Sequence, residues 1–139
     1  LFRSIHLDTT FLEDVIRESR RDEQGPARRW LARNPHETLG ISVFVLCELL
    51  TGAALHADPA AERRRVMKVV GQLQVITPDA QLAGTYARIH AVLTKQGTPV
   101  TNMDLLIACT ALNTGSALLT ANQRDFTRIP GLDVLDHTE

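Results

Sequence analysis

Residues 101–120, TNMDLLIACTALNTGSALLT, predict a helix followed at once by a strand. Thr101 or Asn102 can cap a helix that runs to Asn113, and Gly115 is a typical residue just past a helix C-terminus. The apolar run 116–120 is strand-like. A helix that leads directly into a strand is the repeating unit of α/β proteins.

The same alternation extends over the rest of the chain. The predicted strands are 5–7, 38–41, 73–76, 116–120 and 133–135. The predicted helices are 9–18 with Thr9 or Thr10 as cap, one beginning at Pro26, 42–55 capped by Ser42, 59–70 after Asp58, 77–96 and 101–113; residues 121–130 form a loop or a short helix. Strands separated by helices predict an α/β fold with a central, mostly parallel sheet covered on both faces.

Composition predicts one ordinary globular domain over residues 1–139, with 44% of the residues hydrophobic and 22% charged. No apolar run reaches the roughly 18 residues of a membrane span, and the N-terminus lacks a signal-type pattern. We therefore expect a soluble cytoplasmic protein with no membrane partner. Cys47 and Cys109 both lie in apolar helical patterns, which predicts two buried free thiols.

The formal net charge of −1 gives no overall electrostatic attraction to nucleic acid. Basic residues nevertheless cluster in two stretches, Arg17 to Arg33 and Arg63 to Lys68. Charge runs on helices are usually solvated faces, and we interpret both clusters in that way.

Three acids stand in apolar surroundings: Asp8 after a strand, Glu48 within the apolar helix 42–55, and Asp104 before Leu105. An acid in a core-like position costs several kcal/mol unless it is paired, hydrogen-bonded or bound to a cation. Asp8 could simply cap a helix, and Asp104 could simply complement the dipole of a first helical turn. Neither explanation applies to Glu48, which has no basic residue one helical turn away.

The predicted topology places these acids at one edge of the sheet. Asp8 and Asn122 each follow a predicted strand, while Ser42 and Asn102 lead into the helices that carry Glu48 and Asp104. Ligands of parallel sheets collect beyond the C-terminal ends of the strands. Carboxylate oxygens suit Mg²⁺ or Mn²⁺, and the five histidines show no spacing typical of a zinc site. Motifs of a phosphate loop, a dinucleotide fold or a nucleophile elbow are also missing from the sequence.

Taken in order, these motifs resemble those of the PIN-domain nucleases, and more narrowly the VapC toxins of bacterial toxin–antitoxin pairs. The segments that carry the resemblance are 7–10, Ser42 with 48–52, 104–108 with 111–112, 119–126 and 129–132. Together they cover almost the whole chain. The resemblance implies a PIN-like three-layer α/β/α fold.

The resemblance also implies which residues form the site. The acidic cluster of the family falls on Asp8, Glu48 and Asp104, with a fourth position at Asn122 where family members carry Asp or Asn. A neutral amide lowers the charge of the site and weakens binding of a second cation. Asp125 can supplement the cluster or can merely cap the turn into Phe126, and Thr120 matches a hydroxyl residue near the acids.

The implied activity is that of a Mg²⁺-dependent endoribonuclease, with Mn²⁺ able to substitute and water as the nucleophile. RNA fragments with 5′-phosphate and 3′-hydroxyl ends are expected. Without metal, repulsion between the clustered carboxylates should raise the pKa of at least one of them. The resemblance further implies a homodimer and a cognate antitoxin, with a groove formed by the first helices at Phe11, Leu12, Val15 and Ile16 and by the helix ending at Leu55.

Two alternatives stay open at this point, and a third is disfavoured. The chain can be a non-catalytic RNA-binding module that has kept the fold, or a PIN nuclease that acts on other nucleic acid such as DNA. A haloacid dehalogenase-like phosphatase would need a second Asp two residues after the first, and Thr10 occupies that position.

Overall fold

The computed structural model describes residues 3–138, so both ends of the predicted 1–139 domain, at residues 1, 2 and 139, lie outside the described range. Its strands are β1 Ile5–Leu7, β2 Leu39–Ser42, β3 Gln74–Ile76, β4 Ala117–Leu119 and β5 Val134–Leu135. Its helices are α1 Thr9–Arg20, α2 Pro26–Arg33, α3 Val43–Ala54, α4 Pro59–Val70, α5 Gln81–Gln96, α6 Asn102–Asn113 and α7 Gln123–Phe126.

The five strands form one sheet in the order β3-β2-β1-β4-β5, and every strand pair is parallel. The central strands are buried on both faces: Leu7, Leu118 and Leu119 are at most 1% exposed. Strands buried in this way need helices on both sides of the sheet. The predicted α/β fold with a parallel sheet is therefore confirmed. Within residues 3–138 no helix is long and apolar enough to cross a bilayer.

Three predicted helix starts are confirmed by side-chain caps. Ser42, Asp58 and Thr101 each accept a hydrogen bond from a backbone N–H three residues later. Helix α1 begins at Thr9 as predicted, but the predicted cap is wrong, because Asp8 and not Thr9 or Thr10 occupies the N-cap position. The predicted start of α5 at residue 77 is also wrong, because the Asp79 carboxylate binds the backbone N–H of Gln81 and holds the preceding residues in a turn.

The prediction of two buried thiols is half wrong. Cys109 is fully buried, and burial raises the pKa of its thiol to about 11, whereas Cys47 is exposed. The reason lies in helical geometry: Val45 and Leu49, four residues apart, form the buried face of α3. Cys47 stands halfway between them and therefore on the opposite face.

The parallel topology brings the ends of three strands to one edge of the sheet. Asp8 directly follows β1, Ser42 is the last residue of β2, and Thr120 directly follows β4. These strands are neighbours in the sheet, with β1 between the other two. Any chemistry carried by residues just past them is therefore concentrated at this edge.

Candidate active site

Asp8 lies at the centre of this edge and is 2% exposed. The hydroxyls of Thr120 and Thr10 donate to its Oδ2 atom at 2.7 and 3.0 Å, while within residues 3–138 no hydroxyl donates to Oδ1. Asp8 occupies the N-cap position of α1, but its side chain makes no capping hydrogen bond to the helix. The protein has buried a carboxylate and left one of its oxygens without a hydroxyl donor.

The two threonines also fix the segment after β4. Thr120 is fully buried and accepts a hydrogen bond from the backbone N–H of Asn122 at 2.9 Å, and Thr10 accepts one from Ala121 at 3.1 Å. Thr120 therefore lies beside the acids as expected, and it links Asp8 to Asn122. The geometry depends on contacts between residues more than 100 positions apart.

Glu48 reaches the same region from α3. Its Oε1 atom accepts a hydrogen bond from the Thr9 hydroxyl at 2.6 Å, across the contact between α1 and α3. Over residues 3–138, none of Asp8, Glu48 and Asp104 forms an ion pair with a basic side chain. A single hydroxyl thus orients Glu48, and its charge is left uncompensated by any basic partner in this range.

Asp104 lies in the first turn of α6, behind the cap residue Thr101. Burial, followed by the negative charge of Asp8, raises its pKa to about 6, with smaller contributions from Glu48 and Asp125. Burial also raises the pKa of Asp8, against the opposing effect of its hydroxyl donors. A raised pKa is what is expected of a carboxylate that lies near other carboxylates without metal.

Asn122 and Asp125 form the outer side of the cluster. The Asn122 amide donates to the Asp125 carboxylate at 3.2 Å, and Arg128 lies 3.7 Å from the other oxygen of Asp125. Asp125 is the third residue of α7, and in the described range no backbone N–H donates to its side chain. The interpretation of Asp125 as a cap of the turn into Phe126 is therefore wrong, and Asp125 adds negative charge to the site.

Glu13 is a further acid of this region that the sequence analysis missed. Burial raises its pKa, and the charges of Glu48 and Asp8 raise it further. Glu13 is four residues after Thr9, so both lie on one face of α1, the face on which Thr9 meets Glu48. The helical spacing from Thr9 was the signal in the sequence that could have revealed it.

The donor chemistry of the cluster fits a divalent cation that prefers oxygen. In residues 3–138 no three His, Cys, Asp or Glu side chains already converge closely enough to hold a metal ion. Mg²⁺ rarely uses such a cage, because it keeps several waters and binds through one or two carboxylates together with phosphate oxygens. Asp8 and Asp104 could supply such a pair of carboxylates, because the charge of Asp8 raises the pKa of Asp104 and neither acid has a basic partner in this range.

Comparison with known proteins identifies the fold family. The model of the PIN-domain family matches residues 5–132, which is nearly the full chain. Ribonuclease VapC1 of Haemophilus influenzae strain R2866 is 32% identical over 105 residues, which cover 76% of this chain and 78% of that relative. The chain is a PIN domain of the VapC family.

Other VapC proteins show the same relationship. The tRNA(fMet)-specific endonuclease VapC of Salmonella typhimurium is 36% identical over 96 residues, which cover 69% of this chain and 73% of the relative. The crystal structure of DNA-bound VapBC from the same species aligns with a TM-score of 0.87 and 30% identity, over 98% of this chain and 99% of that one. The resemblance inferred from the motifs is confirmed, as is the PIN-like fold.

Proposed function

We propose that this VapC-family chain is a Mg²⁺-dependent endoribonuclease and the toxin of a toxin–antitoxin pair. The proposal is supported by the position of Asp8, Glu48 and Asp104 near one sheet edge, with a raised pKa for both aspartates and no basic partner for any of the three in residues 3–138. Relatives that are ribonucleases by name support it.

Asp8 and Asp104 are proposed to bind the cation, with Glu48 as a third acid. Thr120 and Thr10 hold Asp8 through Oδ2 and so direct Oδ1 toward a ligand, while Thr9 orients Glu48. When bound, the cation would lower the pKa of a water molecule and offset the charge that develops on the scissile phosphate. Buried hydroxyl partners keep the acids in place without neutralising them.

Asn122 is proposed to support the site in two ways. Its side-chain carbonyl can bind a metal-bound water, and its amide holds Asp125 toward the cluster at 3.2 Å. Because Asn122 is neutral and Asp125 is shared with Arg128, this side of the site carries less negative charge than a pair of free aspartates. We propose that the arrangement favours a single bound cation.

RNA cleavage by the purified chain is the direct test of this function. With Mg²⁺ and total bacterial RNA, we expect new fragments with 5′-phosphate and 3′-hydroxyl ends, because water attacks and no covalent enzyme intermediate forms. Ligation-based mapping of both end types identifies the cleaved RNA. Binding of RNA without any new ends would instead favour a non-catalytic RNA-binding module, and cleavage confined to DNA would favour the other nuclease alternative.

The antitoxin is proposed to bind a groove between α1, α2 and α4, which shares Val15 and Ile16 with the predicted groove. Phe11 and Leu12 are fully buried, so they cannot line a docking surface. A cavity of about 520 Å³ lies instead between these three helices. Its walls combine the apolar side chains Val15, Ile16, Leu31 and Val69 with the basic side chains Arg28, Arg65 and Lys68. Such a groove suits an amphipathic segment that carries acidic residues.

We expect Lys68→Glu to weaken the complex with the cognate antitoxin by about tenfold, mainly through slower association. Lys68 is an exposed residue at the rim of the groove, so the fold should be unaffected. Titration calorimetry and stopped-flow association at two salt concentrations measure the effect. Lys95→Glu, an exposed site on α5 outside the groove, is the matched control, and equal effects of the two variants would contradict the assignment.

The homodimer and the cytoplasmic location are proposed from the family relationship alone.

A further inference from the structure

A second, smaller cavity continues from the acidic cluster into the space between α1, α3 and α4. Its volume is about 160 Å³. Glu13 and Glu48 line it together with Arg20 and His56, and Ile16, Leu49 and Val66 are among its apolar residues. The cavity therefore connects Glu48, one of the proposed catalytic acids, to a basic side chain that the reaction described so far does not use.

A buried carboxylate organises the basic side of this cavity. Glu62 on α4 is 5% exposed, and three basic side chains surround it. Arg20 lies 3.3 Å from its Oε1 atom, and His56 and Arg65 lie 3.2 and 3.4 Å from Oε2. The two basic stretches of the sequence thus meet at one carboxylate, where Arg20 and Arg65 remain partly exposed as expected of solvated faces.

Arg20 is the arginine of this group that lines the cavity, and it has donors to spare. His56 accepts a hydrogen bond from the backbone N–H of Asp58 through Nδ1 and lies against Glu62 through Nε2, so both ring nitrogens are engaged. Arg20 donates from one nitrogen, Nη2, to Glu62, and a guanidinium has five N–H donors in a rigid fork. Glu62 holds that fork at the wall of the cavity.

We propose that Arg20 binds the RNA phosphate next to the one that is cleaved, with Glu62 and His56 as positioning residues. The inference rests on the proposed ribonuclease function. The acids Asp8, Glu13, Glu48 and Asp104 repel an RNA strand at every phosphate that a bound cation does not neutralise. Arginine is suited to the neighbouring phosphate, because its planar fork can donate two parallel hydrogen bonds to phosphate oxygens.

A purely structural role makes different predictions. An ion network that only fastened α1 to α4 would affect unfolding and would leave the salt dependence of RNA binding unchanged. Loss of a phosphate contact lowers that dependence, because each neutralised phosphate of a single strand contributes about 0.7 to the slope of log K against log salt. The salt slope therefore separates the two roles.

The experiment measures binding of a fluorescent single-stranded RNA oligonucleotide to Asp8→Asn protein, which should not cleave it, from low to high salt. Adding Arg20→Gln should weaken binding about tenfold and reduce the slope by about 0.7. Arg20→Lys should retain the slope and lose part of the affinity, because it keeps the charge without the fork. Arg64→Gln, at an exposed position of α4 for which the described residues show no ion pair, is the matched control.

Catalysis provides the second measurement. In the otherwise unaltered enzyme, Arg20→Gln should raise KM about tenfold with a smaller change in kcat, and Glu62→Gln should do the same to a lesser extent. An unchanged salt slope and KM in an enzyme that cleaves RNA would overturn the role of Arg20 and leave the proposed function intact. An unaltered chain that cleaves no RNA would overturn both. Loss of antitoxin binding alone would assign the cavity to the protein partner instead.

Discussion

Replacing Asp8 or Asp104 with asparagine is expected to reduce RNA cleavage by at least about a hundredfold and to abolish growth arrest in cells. Each substitution removes a negative oxygen from the position where the cation is proposed to bind, while the shape of the side chain stays the same. Asp8→Asn can still accept the hydroxyl hydrogen bonds of Thr120 and Thr10 through its carbonyl oxygen. A loss of activity would therefore report on charge rather than on lost packing.

The stability of the variants separates this effect from misfolding. Burial raises the pKa of both aspartates, so the fold disfavours their charged forms, and a neutral amide should be tolerated or slightly stabilising without metal. Urea unfolding monitored by circular dichroism measures the stability of each variant without metal. Asp22→Asn is the control, since Asp22 is exposed at a φ of 52°, a conformation that asparagine adopts equally well. Full toxicity of either site variant would contradict the active-site assignment.

Removal of divalent metal is expected to abolish cleavage as completely as loss of Asp8. Excess chelator should stop the reaction, Mg²⁺ should restore it, and Mn²⁺ should substitute. Metal binding to the folded chain alone should also raise its melting temperature, by mass action. Melting of the intact protein and of Asp8→Asn in a Mg²⁺ titration provides a measurement independent of activity. The proposal would be contradicted if Mg²⁺ raised the melting temperature of both proteins equally, or if cleavage persisted in chelator.

The pH dependence of metal-dependent cleavage follows from the pKa of Asp104. Because that pKa is raised to about 6, the carboxyl is largely protonated below pH 6, where protons compete with the cation. At limiting Mg²⁺, cleavage should rise with pH through about 6, and saturating Mg²⁺ should move the rise to lower pH. The stability of the metal-free protein should change with pH in the opposite direction. The contribution of Asp104 to the free energy of unfolding falls as pH rises from 3.8 toward 6, and Asp104→Asn should remove this pH dependence.

Local patterns predicted the elements well and their boundaries less well. Alternating apolar runs and capping residues such as Ser42 and Thr101 are local signals, so the strands and most helix starts could be predicted. The start of α5 could not, because the Asp79 side chain competes with the helix for the backbone N–H of Gln81. The exposure of Cys47 was missed because an apolar helix does not reveal which of its faces meets the sheet.

The sequence by itself determined the family, the parallel α/β fold and the candidate acids Asp8, Glu48 and Asp104, because an acid in an apolar run is conspicuous without any structure. Only the tertiary structure decided what surrounds them. Thr120 reaches Asp8 across 112 positions, and Arg20 reaches Glu62 across 42. No local pattern encodes such contacts, because they arise where strand ends and helix faces meet. The hydroxyls that hold the acids and the arginine proposed to bind RNA were therefore visible only in the folded chain.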